Sequence, residues 1–272
     1  LSTVSYDQLP EIAASIDVIV NTTPVGTFPN NMQQVIRLKD FPGCQAVIDV
    51  IYNPFKTALL LEAEQLGLKY TNGLPMLVAQ ATAAAGYFLG TPGAFQKENQ
   101  RIIKSMQQQM GNIVLIGMPG TGKSIIGKLL VELTGKTLQD TDAKIEEEAE
   151  MTIPEIFEKE GEAGFRDRES AVCKKLGKER NLIIATGGGA ILRPENVAAL
   201  RQNGTLVHIT RSIDKLPTRG RPLSKNIEAL KKMEAQRMPL YKSAADITFR
   251  NNYTCSRKKL RQRVNTYILE KL

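Results

Sequence analysis

The run Gly117-Met-Pro-Gly-Thr-Gly-Lys123-Ser124 limits what this chain can fold into more than any other stretch. Its spacing is G-x-x-x-x-G-K-[ST]. Ile113-Val-Leu-Ile116 before it predicts a short buried strand, and Ile125 to Leu133 behind it carries apolar residues at helical spacing. Strand, glycine-rich loop and helix in that order make a P-loop. Gly117, Gly120 and Gly122 can take dihedrals closed to other residues, so successive backbone N–H groups turn toward one anion. The helix N-terminus adds partial positive charge at the same point. Lys123 is placed to reach the β- and γ-phosphates, and Ser124 to give its hydroxyl to Mg²⁺; Thr121 and Ile125 complete the set of phosphate-loop positions. A glycine-rich turn capping a helix is the plainer alternative. The flanking strand and helix favour a nucleoside triphosphate site.

Composition narrows the class. At 272 residues, 42% hydrophobic and 24% charged, the chain suits one large or two ordinary globular domains. No run of about 18 apolar residues is present, which argues against a spanning helix, and Leu1-Ser-Thr-Val-Ser-Tyr-Asp does not read as a secretory leader. Cys44, Cys173 and Cys255 lack C-x-x-C spacing, so reduced thiols in a cytoplasm are expected rather than disulfides or zinc. The single histidine, His208, sits in the apolar run Thr205 to Thr210 and reads as a strand residue without a catalytic role. The net charge of +8 raises nucleic acid as a partner. Much of it lies in Arg257 to Arg263 at helical spacing, with Leu260 and Val264 inward, and reads as a solvated helix face instead. Neither nucleic acid nor membrane is expected as a partner. Because the sequence starts at Leu1 rather than Met, a fragment of a longer protein is expected.

Before Gly111, strands alternate with helices, which implies a parallel sheet. Strands are expected at Asp17–Val20, Ala46–Val50 and Lys69–Thr71, and helices at Leu9–Ile16, Thr57–Leu66 and Met76–Leu89. Asn21-Thr-Thr-Pro-Val-Gly26, Asp49-Val-Ile-Tyr52-Asn-Pro54 and Asn72-Gly-Leu-Pro-Met76-Leu-Val-Ala-Gln80-Ala resemble the C-terminal part of shikimate dehydrogenase, over residues 1 to about 108. The resemblance implies that Thr22, Gly73 and Met76 belong to a nicotinamide pocket and that Tyr52 and Gln80 face shikimate. The family's catalytic Lys and Asp lie in a domain outside this sequence. No G-x-G-x-x-G precedes Asp17 to hold a pyrophosphate. NADP is therefore expected only if a missing N-terminal half is supplied, and this part alone is not expected to be an enzyme. Half a Rossmann sheet also predicts an open strand edge and an uncovered apolar face.

The expected organisation is a partial dehydrogenase-like unit over 1–93, a helical linker over 94–110 and a P-loop domain over 111–272. In the last, Asp140-Thr-Asp142 follows a short strand, and period-two alternation would point both carboxylates toward the phosphate loop. One suits Mg²⁺ and its waters, the other a sugar-like hydroxyl; an N-cap is the plainer reading. Arg166, with Glu169 three residues on, is either a helix-surface ion pair or an arginine aimed at an anion and held by that glutamate. Thr186-Gly187-Gly188-Gly189 allows close backbone approach to a ligand, or is simply a flexible loop. Leu216 to Ser224 carries Arg219 and Arg221 in a basic loop suited to cover phosphates. A helix from Ile227 to Met238 carries Arg237 ahead of Pro239-Leu-Tyr241.

Together the P-loop, Asp140-Thr-Asp142, Phe165-Arg166 with Glu169, Gly187–Gly189, Arg221-Pro-Leu and Arg237-Met-Pro-Leu-Tyr241 closely resemble shikimate kinase over residues 111–272. The fold implied is α/β, a parallel sheet flanked by helices. The resemblance implies transfer of the ATP γ-phosphoryl to the 3-hydroxyl of shikimate, in the route to chorismate and aromatic amino acids. Lys123, Asp142 and Arg221 would be catalytic, and ATP would meet Gly117, Gly120, Thr121, Gly122, Lys123, Ser124, Ile125, Arg219 and Arg221. Asp142, Arg166, Gly187, Gly188, Gly189 and Arg237 would hold shikimate, and Ser124 and Asp140 would hold Mg²⁺. The kinase part is expected to act as a monomer. At Asn251-Asn252-Tyr253 the sequence lacks a proline the family often places beside adenine. A kinase for another small polyol such as gluconate stays open, as does a silent binding module.

Overall fold

The structure is a computed structural model that describes residues 3–216, 227–252 and 255–272. It divides into two compact units, Leu1–Gln109 and Met110–Leu272.

The first unit contains α1 (Leu9–Ile12), β1 (Val18–Asn21), β2 (Ala46–Asp49), α2 (Ala58–Gln65), β3 (Lys69–Thr71), α3 (Leu74–Phe88) and most of α4 (Asn99–Met110). Its strands form a parallel sheet in the order β1-β2-β3, with Val47 opposite Ile19 and Tyr70. One face is packed: Val47 meets Leu38, Leu59, Leu60 and Ala63 in a core closed by α2. The other face is open. Val18 and Val20 are 50% and 53% exposed, and Ile48 on the neighbouring strand is exposed as well. The helix expected to link the units has a packed side, since Ile103 of α4 lies against Leu74 and Val78 of α3. Asp49 organises the strand ends. It is fully buried and accepts from Asn21 Nδ2 (3.1 Å), Ile51 N (3.1 Å) and Thr57 Oγ1 (2.6 Å).

The second unit contains β4 (Asn112–Ile116), α5 (Lys123–Thr134), β5 (Thr137–Asp140), α6 (Thr141–Ala149), α7 (Ile153–Lys178), β6 (Leu182–Ala185), α8 (Pro194–Arg201), β7 (Gly204–Thr210), α9 (Ile227–Ala244), β8 (Ile247–Arg250) and α10 (Arg257–Tyr267). Its sheet is parallel in the order β5-β6-β4-β7-β8. Every residue of β4 is buried, as expected of a central strand covered on both faces. On one face Ile113 and Leu115 pack with Ile126 and Leu130 of α5 and Val264 of α10. On the other, Val114 and Ile116 meet Val172 and Leu176 of α7 and Tyr241 of α9.

One helix carries an internal break and another outruns its sequence reading. α7 breaks at Gly161 (φ 70°, ψ −174°) and then continues to Lys178. A salt bridge from Arg168 to Glu160 (2.7 Å) spans that break. α9 does not stop at Met238; it runs through Pro239 to Ala244. An interior proline costs about 3 kcal/mol in a helix. Burial of Tyr241 and Ala244 against the sheet offsets that cost.

Candidate active site

The site forms at the carboxyl ends of the strands, where β4 leads into the phosphate loop between β6 and β7. Ligands of open α/β sheets bind in such a crevice. Gly120 (φ 86°) and Gly122 (φ 98°) take left-handed dihedrals, and Gly122 is the residue before α5. The loop is braced from within. Thr121 Oγ1 donates to Met118 O (2.9 Å), and Lys123 Nζ donates to Gly117 O (2.7 Å) and Met118 O (3.1 Å). Asn251 Nδ2 donates to Thr121 O at 2.8 Å, so part of the stretch considered for adenine contacts holds the loop instead. Asn252 Oδ1 accepts from Ser212 N (2.7 Å); Tyr253 lies outside the described residues.

Asp140 and Asp142 reach the cleft by different means, which corrects the expectation of two alternating strand positions. Asp140 ends β5 and caps α6, its Oδ1 accepting from Asp142 N (3.0 Å) and Ala143 N (3.4 Å). The capping preference of Asp turns the chain into a helix one residue too early for alternation. Asp140 Oδ2 accepts from Ser124 Oγ at 3.4 Å. These are adjacent hard oxygen donors, the type Mg²⁺ takes alongside water and phosphate oxygens. Among the described residues no group of three or more His, Cys, Asp or Glu is arranged to hold a metal unaided.

Asp142 stands in the first turn of α6 with Oδ1 buried and without a hydrogen-bond partner among the described residues. Burial, then the charges of Asp140 and Glu169, raise its pKa to about 6, against the pull of Lys123. Arg166 and Glu169 are both buried on α7. Arg166 Nη1 donates to Glu169 Oε2 at 2.7 Å and Nη2 to Glu162 Oε1 at 3.2 Å, which removes the surface-pair alternative. Burial raises the pKa of Glu169 against the opposing charge of Arg166. Its second oxygen, Oε1, is buried and unpartnered among the described residues. Breaking such a buried pair costs about 3–5 kcal/mol.

The three glycines after β6 lack positive φ; what they need is space. A Cβ on Gly187 would lie 2.5 Å from Asp142 Oδ1 and 2.9 Å from Glu169 Oε1. On Gly188 it would lie 2.7 Å from Pro119 Cδ, and on Gly189 it would overlap the Arg166 guanidinium. The close backbone approach anticipated for a ligand is therefore also an approach to the site's own side chains. Gly187 N donates to Thr141 Oγ1 at 2.8 Å, fixing the turn on α6. Gly188 O accepts from Arg237 Nη1 at 3.0 Å and from Tyr241 Oη at 2.6 Å.

One cleft of about 640 Å³ gathers Gly120, Gly122, Lys123, Ser124 and Ile125 with Asp140, Asp142, Arg166, Gly187, Gly188, Gly189 and Arg237. Gly117 and Thr121 sit behind its wall and shape the loop through their hydrogen bonds. Arg219 and Arg221 lie outside the described residues. Sequence reasoning gave no role to Pro119, Phe157, Arg211 and Met233, which also line the cleft. Pro119 lies within the phosphate loop at a position its motif leaves open, and Phe157, Arg211 and Met233 come from separate segments that no local spacing links. Tyr241 follows Arg237 by one helical turn, on the same face, only because α9 runs on through Pro239.

The shikimate kinase family model matches residues 119–272, more than half of the chain. A shikimate kinase of Nitrosomonas europaea is 48% identical over 145 residues, covering 50% of this chain and 69% of that protein. One from Chromobacterium violaceum is 39% identical over 151 residues, covering 53% and 82%. The structure of shikimate kinase from Acinetobacter baumannii in complex with shikimate superposes with a TM-score of 0.56 at 35% identity, covering 61% of this chain and 97% of that one. With this match over more than half of its length, the chain belongs to the shikimate kinase family.

Proposed function

We propose that the second unit transfers the γ-phosphoryl group of ATP to the 3-hydroxyl of shikimate, releasing ADP and shikimate 3-phosphate. The observation that carries this reading is the shared cleft. A phosphate loop, a buried arginine and two carboxylate oxygens without partners among the described residues border the same space. A polyhydroxylated acid matches those groups: its carboxylate suits the forked donors of Arg166 and Arg237, and its hydroxyls suit Asp142 and Glu169.

Phosphoryl transfer needs positioning and charge neutralisation more than covalent chemistry. The loop amides from Gly117 to Ile125 would cradle the phosphates, and Lys123 would leave its carbonyl partners for the β- and γ-oxygens. Ser124 and Asp140 would hold Mg²⁺, which supplies charge neutralisation on the phosphates when bound. Asp142 would orient the attacking hydroxyl and accept its proton as the new O–P bond forms and the bond to the β-phosphate oxygen breaks. Arg219 and Arg221 would add positive charge over the migrating group. Gly187, Gly188 and Gly189 would close the acceptor side. All of these residues belong to one unit, so a monomer suffices.

For the first unit we propose a partial dehydrogenase-like sheet, on the strength of its three motifs. Thr22, Gly73 and Met76 would contribute to a nicotinamide pocket, and Tyr52 and Gln80 to a shikimate pocket, only alongside a complementary N-terminal half. A cytoplasmic setting fits the three unbridged cysteines, two of them buried. Among the described residues no helix is long and apolar enough to cross a membrane, and the basic face of α10 is partly engaged by Glu132 and by the Phe249 and Tyr267 rings.

The test is ADP release with shikimate, gluconate and no acceptor in parallel. Shikimate-dependent turnover is expected. Turnover with gluconate alone would overturn the acceptor assignment, and ATP binding without turnover in any arm would overturn the kinase reading.

A further inference from the structure

Tyr241 is buried and belongs to no set of residues assigned so far to ATP, metal or acceptor. Its ring stacks on His208 with centroids 4.8 Å apart and planes inclined by 18°. His208 lies in β7 opposite Ile116, the last residue of β4 before the phosphate loop. Burial, with Lys123 and Lys242 nearby, lowers the His208 pKa to about 4, so the imidazole is neutral at physiological pH and serves as a flat platform. Standing on it, Tyr241 extends its hydroxyl to Gly188 O at 2.6 Å.

Gly188 is held from both sides. A Cβ there would lie 2.7 Å from Pro119 Cδ of the phosphate loop, and its carbonyl takes donors from both Tyr241 and Arg237. Burial is also what raises the tyrosine pKa, to about 12, so the hydroxyl stays a donor across the working pH range. The peptide that Tyr241 fixes lies between Gly187, against Asp142, and Gly189, against Arg166.

We propose that Tyr241 is a positioning residue for the acceptor pocket: through Gly188 O it sets the glycine turn against which Asp142 and Arg166 are placed. Sharing one carbonyl with Arg237, it also fixes where that arginine sits. This rests on the reading that the glycine turn and Arg237 form the acceptor side of a kinase site.

Tyr241→Phe removes the hydroxyl and keeps the ring on His208. The measurements are KM for shikimate, KM for ATP, kcat and the thermal midpoint of wild type and variant. The expected result is a rise in the shikimate KM of about five- to tenfold, the scale of one lost hydrogen bond, with the ATP KM and the midpoint nearly unchanged. Direct titration of shikimate by calorimetry should show the same loss. An unchanged shikimate KM overturns the proposal. So does a fall in midpoint with both KM values rising together, which marks a merely structural tyrosine. Wild-type turnover that does not depend on shikimate would sink the kinase reading itself, a separate outcome from either.

Discussion

Asp142 Oδ1 and Glu169 Oε1 face the same glycine, Gly187, from two different helices, and neither has a hydrogen-bond partner among the described residues. Two buried carboxylates in one pocket repel each other and raise the pKa of at least one. Burial first, and then the charges of Asp140 and Glu169, raise the pKa of Asp142 to about 6.

If ionised Asp142 accepts the acceptor's proton, kcat/KM should fall as pH drops through about 6. The sign for stability is opposite. A carboxyl with a raised folded pKa favours the fold fully below its ordinary value of 3.8, and that contribution is lost as pH rises through about 6. Asp142→Asn should thus stabilise the protein at pH 8 by about 2–3 kcal/mol while cutting kcat by about 10²-fold or more. Denaturant titrations at pH 8 and pH 4 check it: the gain must vanish at the lower pH. A pH–rate profile flat through pH 6 in the wild type rules out the role.

Arg166→Lys replaces a fork held by Glu169 with a point charge. The acceptor KM should rise by about tenfold or more, with the ATP KM steady. Glu169→Gln, which leaves Arg166 without its buried counter-charge, should lower stability by about 3–5 kcal/mol. Steady-state kinetics and chemical denaturation separate the two effects.

Gly189→Ala and Gly135→Ala form a contrasting pair. The first drives a methyl group into the Arg166 guanidinium and should raise the acceptor KM sharply. The second sits at the end of α5 with φ 72° and open space around it. It should cost about 1–2 kcal/mol of stability and leave kinetics alone. Equal kinetic effects from the two would contradict the account of the glycine turn.

Ser124→Ala removes one of the two adjacent oxygen donors offered to Mg²⁺. The Mg²⁺ concentration for half-maximal rate should rise severalfold at fixed ATP, while the melting curve without ligands stays where it was. An unchanged Mg²⁺ dependence excludes Ser124 from the metal site.

Val18→Thr with Val20→Thr alters only the open face of the first sheet. Stability should move by no more than about 0.5 kcal/mol, and the onset of light scattering on heating should shift upward if that face drives self-association.

Much of this was legible locally. The P-loop needs only its own spacing and flanks, and β4 and α5 appear where those flanks predict them. Arg166, Glu169 and Arg237 were legible as residue types, yet their burial and partners depend on which helices cover the sheet. Asp142 shows where local rules misled: alternation was the wrong warrant, because capping by Asp140 intervened. Three consecutive glycines, Gly187 to Gly189, predict either room for a ligand or a flexible loop. Their crowding by Asp142, Pro119 and Arg166 is long-range packing that no window of sequence contains. Tyr241 was hidden for a related reason, since Pro239 suggested that the helix ended before it.

The break at Gly161 separates an apolar from a charged stretch of one helix. Before it, Ile153 and Phe157 contribute apolar wall to the cleft; after it, Arg166 and Glu169 contribute a buried ion pair. The non-helical residue resets the direction of the chain between the two segments, while the Arg168–Glu160 ion pair and the packing of Phe157 on Phe165 tie them back together across it. A change in the apolar wall is therefore felt by the charged half of the helix, so the shape and the charge of this cleft are tuned together rather than one residue at a time.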